Sequence, residues 1–387
     1  MTTDQGMIPD APGEHAPGAS VVFEHVTKRY DAGTKGPGAV NDLSMTIPAG
    51  CICVFVGPSG CGKTTSLKMV NRLIEPTSGR IRIDGRDIRE EDPIELRRRI
   101  GYVIQQVGLF PHQSIGENVS VVPKLLGWDA RRRRARSDEL LALVGLDPAR
   151  YRDRYPSQLS GGERQRVGVA RALAVDPPVM LMDEPFGAVD PIVRERLQDE
   201  LLRLQEQLAR TILFVTHDID EAIRLGDVVA VFQDGGILAQ FDTPEAILGA
   251  PASDFVARFV GTDRGLKRLS LSRVAELEPR PAVTGTVGAD AAEARTRTLA
   301  DAASPWLLLL DVQGRPLGWV HERHIPRTGA LTADLADPTE AVLTRRMSLR
   351  DALSVMLDAD VITGVVVDDQ GRALGVLTVD QVASALR

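Results

Sequence analysis

The stretch Gly57-Pro-Ser-Gly-Cys-Gly-Lys63-Thr64 fits the pattern G-x-x-x-x-G-K-[ST] of a phosphate-binding loop. It follows the apolar run Cys51–Val56, which is typical of a buried strand, and it opens a helical pattern over Lys63–Leu73. Glycines let backbone N–H groups approach a phosphate closely, and the start of a helix adds positive potential. The stretch therefore predicts a nucleotide site between a strand and a helix of a mainly parallel α/β sheet.

Side-chain chemistry suggests a role for three residues of this loop. We expect Lys63 to reach the β- and γ-phosphates, the Thr64 hydroxyl to coordinate Mg²⁺, and Thr65 to contact the α-phosphate. The residues that we expect to surround the phosphates of ATP are Gly57, Ser59, Gly60, Gly62, Lys63, Thr64 and Thr65.

A second apolar strand ends in two carboxylates, in Val179-Met-Leu-Met-Asp183-Glu184. Charges at the end of a buried strand are costly unless they hold a metal or a proton. We expect Asp183 to bind Mg²⁺ through water and Glu184 to orient and activate the attacking water. Together with the loop, this strand predicts nucleotide hydrolysis.

A second anion site is predicted at Leu159-Ser-Gly-Gly-Glu-Arg-Gln-Arg166. Ser160 is suited to cap a helix that begins at Gly161 and Gly162, and such a helix start attracts anions. One chain needs only one site for one triphosphate. The second anion site therefore predicts a homodimer in which two subunits sandwich two ATP molecules.

The order of these motifs resembles the ATPase subunits of ABC transporters, over about residues 21–264. The resemblance implies that Tyr30 stacks on adenine, with a core tyrosine as the alternative. It implies that Gln105 contacts both Mg²⁺ and the membrane partner, and the neighbouring Gln106 is the rival for that role.

Two further positions follow from the same resemblance. The segment Phe186-Gly-Ala-Val-Asp190 is similar to the loop that crosses the dimer interface, so Asp190 is expected near the nucleotide. His217, in Thr-His217-Asp, matches the switch histidine at the γ-phosphate. The implied catalytic set is Lys63, Glu184 and His217.

The resemblance implies an α/β fold, in which a P-loop ABC ATPase domain with a mixed sheet core and a helical subdomain precedes a smaller α+β domain. We expect a flexible tail over residues 1–20 and the ATPase domain over 21–264. A charged stretch over 265–280 predicts a linker.

Residues 281–387 contain an internal repeat. The stretch Leu307–Val320 aligns without a gap with Gly364–Leu377, at an offset of 57 residues (307 to 364). Each copy predicts a strand, a glycine-containing turn, a second strand and then a helix. The repeat resembles a tandem CBS pair.

The CBS resemblance implies a regulatory ligand, an adenylate or a cyclic dinucleotide, with Thr378 and Asp380 as contacts in the second copy. The first copy has His321 and Arg323 at the aligned positions and lacks the carboxylate. A purely structural or ionic-strength-sensing pair is the alternative.

Three stretches, Ile100–His112, Thr216–Asp227 and Phe259–Asp263, resemble importers of glycine betaine, carnitine, choline or proline. The implied partners are transmembrane permease subunits and, indirectly, an external solute-binding protein, and the implied location is the cytoplasmic face of the membrane. The alternatives are an importer of another small solute and an ABC ATPase that acts without a permease.

Composition agrees with this class of protein. The chain has 387 residues, of which 43% are hydrophobic, and this content excludes a disordered chain. It has 53 acidic against 46 basic residues, and this acidic balance argues against a nucleic-acid partner. No stretch approaches the roughly 20 apolar residues of a membrane-spanning helix, and the first 20 residues lack a secretory signal. The three cysteines do not make a disulfide framework, and Cys51 and Cys53 are expected to be buried, reduced thiols rather than metal ligands.

Overall fold

The computed structural model describes residues 18–30, 38–105, 108–187, 189–301 and 304–385. The chain divides into two compact units, and the division falls between Gly261 and Thr262. In the described ranges, no helix has the length and apolar character needed to cross a membrane. The predicted tail lies outside these ranges except for residues 18–20, where Ala19 is buried and donates its N–H to the Pro178 carbonyl.

The first unit contains two sheets. A parallel core and one antiparallel edge strand form the order β10-β9-β3-β8-β7-β6, and an antiparallel sheet has the order β2-β1-β4-β5. The strands are β1 (Val21–Lys28), β2 (Val40–Ile47), β3 (Ile52–Val56), β4 (Ser78–Ile83), β5 (Arg86–Asp87), β6 (Ile100–Val103), β7 (Val179–Asp183), β8 (Thr211–Val215), β9 (Val228–Gln233) and β10 (Ile237–Asp242).

Every residue of β3, β7 and β8 is buried, as expected for strands of a parallel sheet that is covered on both faces. This burial explains their continuous apolar sequences. Their parallel pairing brings their carboxyl ends to one edge of the sheet, where the predicted chemistry lies.

The helices of the first unit connect these strands, and α3 to α7 all lie between β6 and β7 in the chain. Their bounds are α1 (Lys63–Val70), α2 (Pro93–Arg98), α3 (Ile115–Val119), α4 (Val121–Leu125), α5 (Ala130–Leu143), α6 (Pro148–Tyr151), α7 (Gly161–Ala172), α8 (Pro191–Leu208), α9 (Ile219–Leu225), α10 (Pro244–Gly249) and α11 (Asp254–Val260). Helix α1 ends three residues before the predicted Leu73, since Arg72 has a left-handed backbone with φ of 53°.

The second unit contains two small sheets, ordered β11-β12-β13-β14 and β15-β16-β17. Its elements are α12 (Arg264–Leu271), β11 (Thr284–Thr286), α13 (Ala291–Ala300), β12 (Trp306–Leu310), β13 (Pro316–His321), β14 (Asp337–Pro338), β15 (Val342–Thr344), α14 (Leu349–Asp358), β16 (Thr363–Val367), β17 (Ala373–Thr378) and α15 (Val379–Ser384). Single 3₁₀ turns occur in both units, at Ile88–Glu90, Pro156–Gln158, Val274–Glu276 and Ala333–Leu335.

The internal repeat is confirmed by strand pairing. Strands β12 and β13 pair antiparallel with Trp306 opposite His321, and β16 and β17 pair with Thr363 opposite Thr378, which is the same register at the predicted offset. In each copy a third strand, β11 or β15, pairs in parallel with the first strand of the hairpin.

The copies differ after their second strands, where a helix was expected in both. Helix α15 follows β17, because Thr378 and Gln381 form a capping box. At the aligned positions the first copy has His321 and His324, which cannot form that box, and β13 is not followed by an α-helix before β14. The prediction of a helix in the first copy was therefore wrong.

The stretch 265–280 differs from the predicted linker. It contains most of α12, and Leu269 and Val274 are each 1% exposed within a core cluster that includes Met356. Arg280 forms an isolated bridge with Val376 of β17. The many charged residues concealed an amphipathic segment that folds as part of the second unit.

Candidate nucleotide-binding and hydrolysis site

The loop between β3 and α1 requires glycine at two positions. Gly57 has φ of 152°, and a Cβ atom there would lie 2.2 Å from the Phe232 carbonyl oxygen. Gly62 has φ of 97°, and its Cβ would lie 2.2 Å from the Ala39 carbonyl oxygen. The loop can therefore pack against β9 and the start of β2 only because both positions lack a side chain.

Lys63 is held inside this loop. Its side chain is buried, and Nζ donates to the carbonyl oxygens of Gly57 at 2.7 Å and Pro58 at 2.8 Å. A buried ammonium group needs such acceptors, and phosphate oxygens are stronger ones. The geometry suits exchange of these carbonyls for a phosphate.

Thr64 and Asp183 meet between α1 and the end of β7. The Thr64 hydroxyl donates to Asp183 Oδ1 at 2.8 Å, although 119 positions separate them in the chain. Burial raises the pKa of the nearby Tyr102 hydroxyl, and the Asp183 carboxylate raises it further.

The oxygen donors of Thr64 and Asp183 fit a hard cation such as Mg²⁺. No group of three or more His, Cys, Asp and Glu side chains among the described residues could hold a metal ion. In proteins Mg²⁺ usually completes its coordination with water and with phosphate oxygens of the substrate.

Glu184 is the centre of a polar cluster at the carboxyl ends of β6, β7 and β8. Its Oε2 accepts a hydrogen bond from Gln105 Nε2 at 3.1 Å and lies 3.6 Å from His217 Nδ1. Its backbone is left-handed, with φ of 44°, and its N–H donates to the Val215 carbonyl. A strained backbone at a polar cluster indicates a functional site. Gln106, the rival to Gln105, lies outside the described residues.

Tyr30 lies at the edge of this site. Its side chain is 63% exposed, and its hydroxyl lies 3.4 Å from Thr65 Oγ1, next to the phosphate-binding loop. This exposure does not fit the alternative of a core tyrosine. An exposed aromatic ring at this place can stack on a base.

The N-terminus of α7 forms the second predicted anion site. Ser160 caps the helix and accepts from the Glu163 N–H, while Glu163 accepts from Ser160 N–H and from the Tyr151 hydroxyl at 2.6 Å. These hydrogen bonds, that from Tyr151 first, lower the pKa of Glu163 to about 2. Gly161 leaves the helix start open, since no atom lies within 4 Å of the position that a Cβ would take, whereas a Cβ on Gly162 would lie 2.9 Å from Val193.

The hydrogen bonds at this helix start are local, within α7 and to Tyr151. Asp190 likewise acts locally, accepting from the Ile192 N–H at the start of α8. That a partner subunit brings these groups to a nucleotide remains a prediction.

Sequence reasoning missed Asn41, which supports the phosphate-binding loop. Its side chain accepts from the Gly38 N–H and donates to the carbonyl oxygens of Gly38 and Gly235. These bonds fix the start of β2. Ala39 directly precedes this strand, and its carbonyl group packs against Gly62. The only signal in the sequence was an asparagine beside a glycine-rich stretch, which is weak.

Thr378 and Asp380, the predicted regulatory contacts, lie at the start of α15. The Thr378 hydroxyl accepts from the Gln381 N–H at 3.2 Å and caps the helix, while Asp380 is exposed. In the first copy, the aligned His321 packs edge-on against Trp306. A ligand at this place remains a prediction.

Two family models match the chain. Residues 40–187 match the family model described as ABC transporter, and residues 333–387 match that of the CBS domain. The osmoprotectant import ATP-binding protein OsmV of Salmonella typhimurium is 44% identical over 95% of this chain and 96% of its own length. This chain is an ABC transporter ATP-binding subunit.

Other relatives of this ATP-binding subunit belong to the same group. The glycine betaine/carnitine/choline transport ATP-binding protein OpuCA of Bacillus subtilis is 45% identical over 92% of this chain and 93% of its own length. The choline transport ATP-binding protein OpuBA of Bacillus subtilis is 44% identical over 92% of this chain and 94% of its own length. The predicted resemblance to osmoprotectant importers with a CBS region is therefore confirmed at the level of family.

Solved structures support the fold of the ATPase part. The dimeric ATP-binding cassette MJ0796, in a post-hydrolysis state bound to ADP and Pi, is 34% identical with a TM-score of 0.52, covering 58% of this chain and 98% of its own. The cassette cbiO1 from Clostridium perfringens is 28% identical with a TM-score of 0.54, and the match covers 62% of this chain and 93% of cbiO1. The predicted α/β fold and ATPase class are confirmed.

Proposed function

We propose that this ATP-binding subunit hydrolyses ATP to power import of a compatible solute of the glycine betaine, choline, carnitine and proline class through a separate permease. The observation that carries the proposal is the convergence of Gln105 and His217 on Glu184, beside the Thr64–Asp183 pair. The solute class is supported by the relatives, of which OsmV is an osmoprotectant import protein and OpuCA a glycine betaine/carnitine/choline transport protein.

In this proposal the phosphate-binding loop and Lys63 hold the triphosphate, and Tyr30 stacks on the adenine. Thr64, Gln105 and, through water, Asp183 would hold Mg²⁺, which would neutralise charge on the β- and γ-phosphates. The buried position of Lys63 inside the loop supports its assignment to the triphosphate.

Glu184 orients the attacking water and takes up its proton as the water oxygen bonds to the γ-phosphorus. The bond from that phosphorus to the bridging oxygen breaks, leaving ADP and phosphate. His217, 3.6 Å from Glu184, contacts the γ-phosphate and completes the site only when the third phosphate is present.

A partner copy covers the nucleotide with Ser160, Gly161, Gly162 and the segment at Asp190. Closure of the two cassettes on ATP drives the permease outward-facing, and hydrolysis resets it. An external solute-binding protein delivers the solute, and the chain works at the cytoplasmic face of the membrane. The exposed Phe110, with His112 beside it, is suited to meet a permease helix near Gln105.

The CBS region regulates this cycle in the proposal. An adenylate or cyclic dinucleotide at Thr378 and Asp380 is one means, and a response to ionic strength without a ligand is the other. Two structurally matched copies in one unit support a regulatory pair.

The test is uptake of labelled glycine betaine, at low and high osmolarity, by cells that lack this chain. The cells are complemented with wild type, Glu184→Gln, or Glu195→Gln as a matched control at an exposed position of α8. We expect uptake with wild type and the control, and none with Glu184→Gln.

Uptake supported equally by Glu184→Gln would contradict the catalytic assignment. Uptake of choline, carnitine or proline but not betaine would shift the solute within the class, and uptake of none would overturn the class. Failure of the full chain to copurify with a membrane protein would favour an ABC ATPase without a permease.

A further inference from the structure

Two buried polar side chains meet behind the hydrolysis site. Gln198 of α8 is 5% exposed and Glu221 of α9 is 8% exposed, and Gln198 Nε2 donates to Glu221 Oε1 at 3.0 Å. Burial raises the pKa of the Glu221 carboxyl, and the Thr216 side chain is close enough to lower that pKa in part. Burying a carboxyl group is unfavourable without such partners, so the pair is an ordered link between two helices.

Thr216 and Asp218 fix the backbone on both sides of His217. The Thr216 hydroxyl accepts from the Asp218 N–H at 3.0 Å. The Asp218 carboxylate in turn accepts from the N–H groups of Asp220, at 2.8 Å, and Glu221. Because Asp218 is bonded to both the Thr216 hydroxyl and the Glu221 N–H, hydrogen bonds connect Glu221 to the turn that carries His217.

Gln198 connects this turn to α8. That helix begins at Pro191, and the carboxylate of the preceding Asp190 caps its first turn. Asp190 belongs to the segment that resembles the loop across the dimer interface. Helix α8 therefore joins the interface segment to the His217 turn through this buried hydrogen bond and through an ion pair between Arg194 and Asp218 at 3.9 Å. A rigid element with a fixed attachment can transmit a displacement between two sites.

We propose that Gln198 and Glu221 are positioning residues, which hold His217 at the γ-phosphate and set its position according to that of α8. The proposal rests on the proposed roles of His217 and Glu184 in ATP hydrolysis. Burial raises the pKa of the Glu221 carboxyl. An amide of the same shape keeps an oxygen atom that can accept the hydrogen bond from Gln198.

The test measures steady-state ATP hydrolysis, ADP affinity and thermal unfolding of the purified full chain. We expect Glu221→Met to lower kcat about 10- to 100-fold, because a small misplacement of an active-site group has effects of that size. The Kd for ADP stays within about two-fold of wild type, since ADP lacks the γ-phosphate that His217 contacts. Glu221→Gln keeps kcat within about three-fold of wild type.

Gln198→Met is the second variant, and we expect it to lower kcat in the same way. The Gln198→Met/Glu221→Met double variant removes both polar partners, so its thermal stability returns toward wild type while kcat stays low. Gln205→Met is the matched control on the same helix, where the amide donates to the carbonyls of Gly50 and Arg210. It lowers thermal stability and leaves kcat within about two-fold once folded.

Several outcomes overturn the proposal: normal kcat in Glu221→Met, a Glu221→Gln variant as impaired as Glu221→Met, or recovery of kcat together with stability in the double variant. An equal loss of ADP affinity would also overturn it, because a general structural defect would then explain the data. Glu184→Gln is assayed in parallel. Hydrolysis by that variant would contradict the proposed function instead, which separates the two failures.

Discussion

Thr64 and Thr378 both stand at the start of a helix, yet their hydroxyl groups have opposite partners. Thr64 donates to Asp183, which lies 119 positions away at the end of a buried strand. Thr378 accepts from Gln381 of its own helix, three positions away. The first hydroxyl is committed to a long-range polar contact in the first unit, and the second completes a local capping box in the second unit.

The same contrast extends to the residues around each threonine. In the first unit, Gln105, Glu184 and His217 come from the ends of three strands and meet within 3.6 Å. In the second unit, Asp380 is exposed beside Thr378. Convergence of distant polar groups indicates chemistry, whereas a polar group satisfied by its own helix is explained by folding alone.

The largest expected effect comes from replacing each threonine by valine. Thr64→Val removes the hydroxyl expected to hold Mg²⁺ and leaves Asp183 without its donor, so kcat for ATP falls about 100-fold. Thr378→Val loses only the cap, which destabilises the chain by about 1 kcal/mol without changing kcat. Steady-state hydrolysis and urea unfolding of both variants test the comparison. A similar fall in kcat in both would show that Thr378 acts on the cassette.

The second prediction compares two glycines with positive φ, one in each unit. Gly62→Ala forces a Cβ to within 2.2 Å of the Ala39 carbonyl oxygen, so we expect a loss of about 3 kcal/mol and a raised KM for ATP. Gly288 has φ of 89° with no atom within 4 Å of its Cβ position, and Gly288→Ala costs about 1 kcal/mol. Urea unfolding and ATP titration measure both. Equal costs would mean that backbone strain, and not the close approach to Ala39, sets the requirement for glycine at 62.

The sequence was sufficient for the parts of the site that follow from local motifs and parallel topology. Strands β3, β7 and β8 were recognisable as apolar runs, and parallel strands place their carboxyl ends at one edge. Glu184 and His217 could therefore be expected near each other before the structure was known. The resemblance implied contacts of Gln105 with Mg²⁺ and the membrane partner, and it did not predict the hydrogen bond from Gln105 to Glu184.

The sequence could not predict features whose partners are distant or whose signal is hidden. Gln198 and Glu221 lie on two amphipathic helices, and neither sequence segment contains a signal that identifies the other residue as its partner. Helix α12 was concealed because its charged face dominates the composition of 265–280. The absence of a helix directly after β13 was predictable in principle, since His321 replaces the capping threonine of the second copy.

The smallest expected effect concerns acid stability at the start of α7. The Tyr151 hydroxyl and Ser160 N–H hold the pKa of Glu163 at about 2, against an ordinary value of 4.5. Because the folded-state pKa is the lower one, Glu163 contributes stability above about pH 4.5, and this contribution is lost as the pH falls toward 2. Glu163→Gln should therefore be slightly less stable than wild type at pH 7, and the difference should shrink on acidification.

The matched control is Glu293→Gln, at the same helix position in α13 of the second unit, where Asp290 provides the cap. Unfolding by urea at several pH values between about 3 and 7 measures both variants against wild type. The two caps differ because Glu163 accepts from a tyrosine hydroxyl, at 2.6 Å, and from the Ser160 N–H, whereas Glu293 lies 4.0 Å from Arg297. A pH-dependent difference of equal size in both variants would assign the effect to helix capping in general. A difference confined to Glu163 would mean that a carboxylate that stays ionised throughout the physiological range holds this helix start. That carboxylate lies beside the groups that we expect to bind an anion.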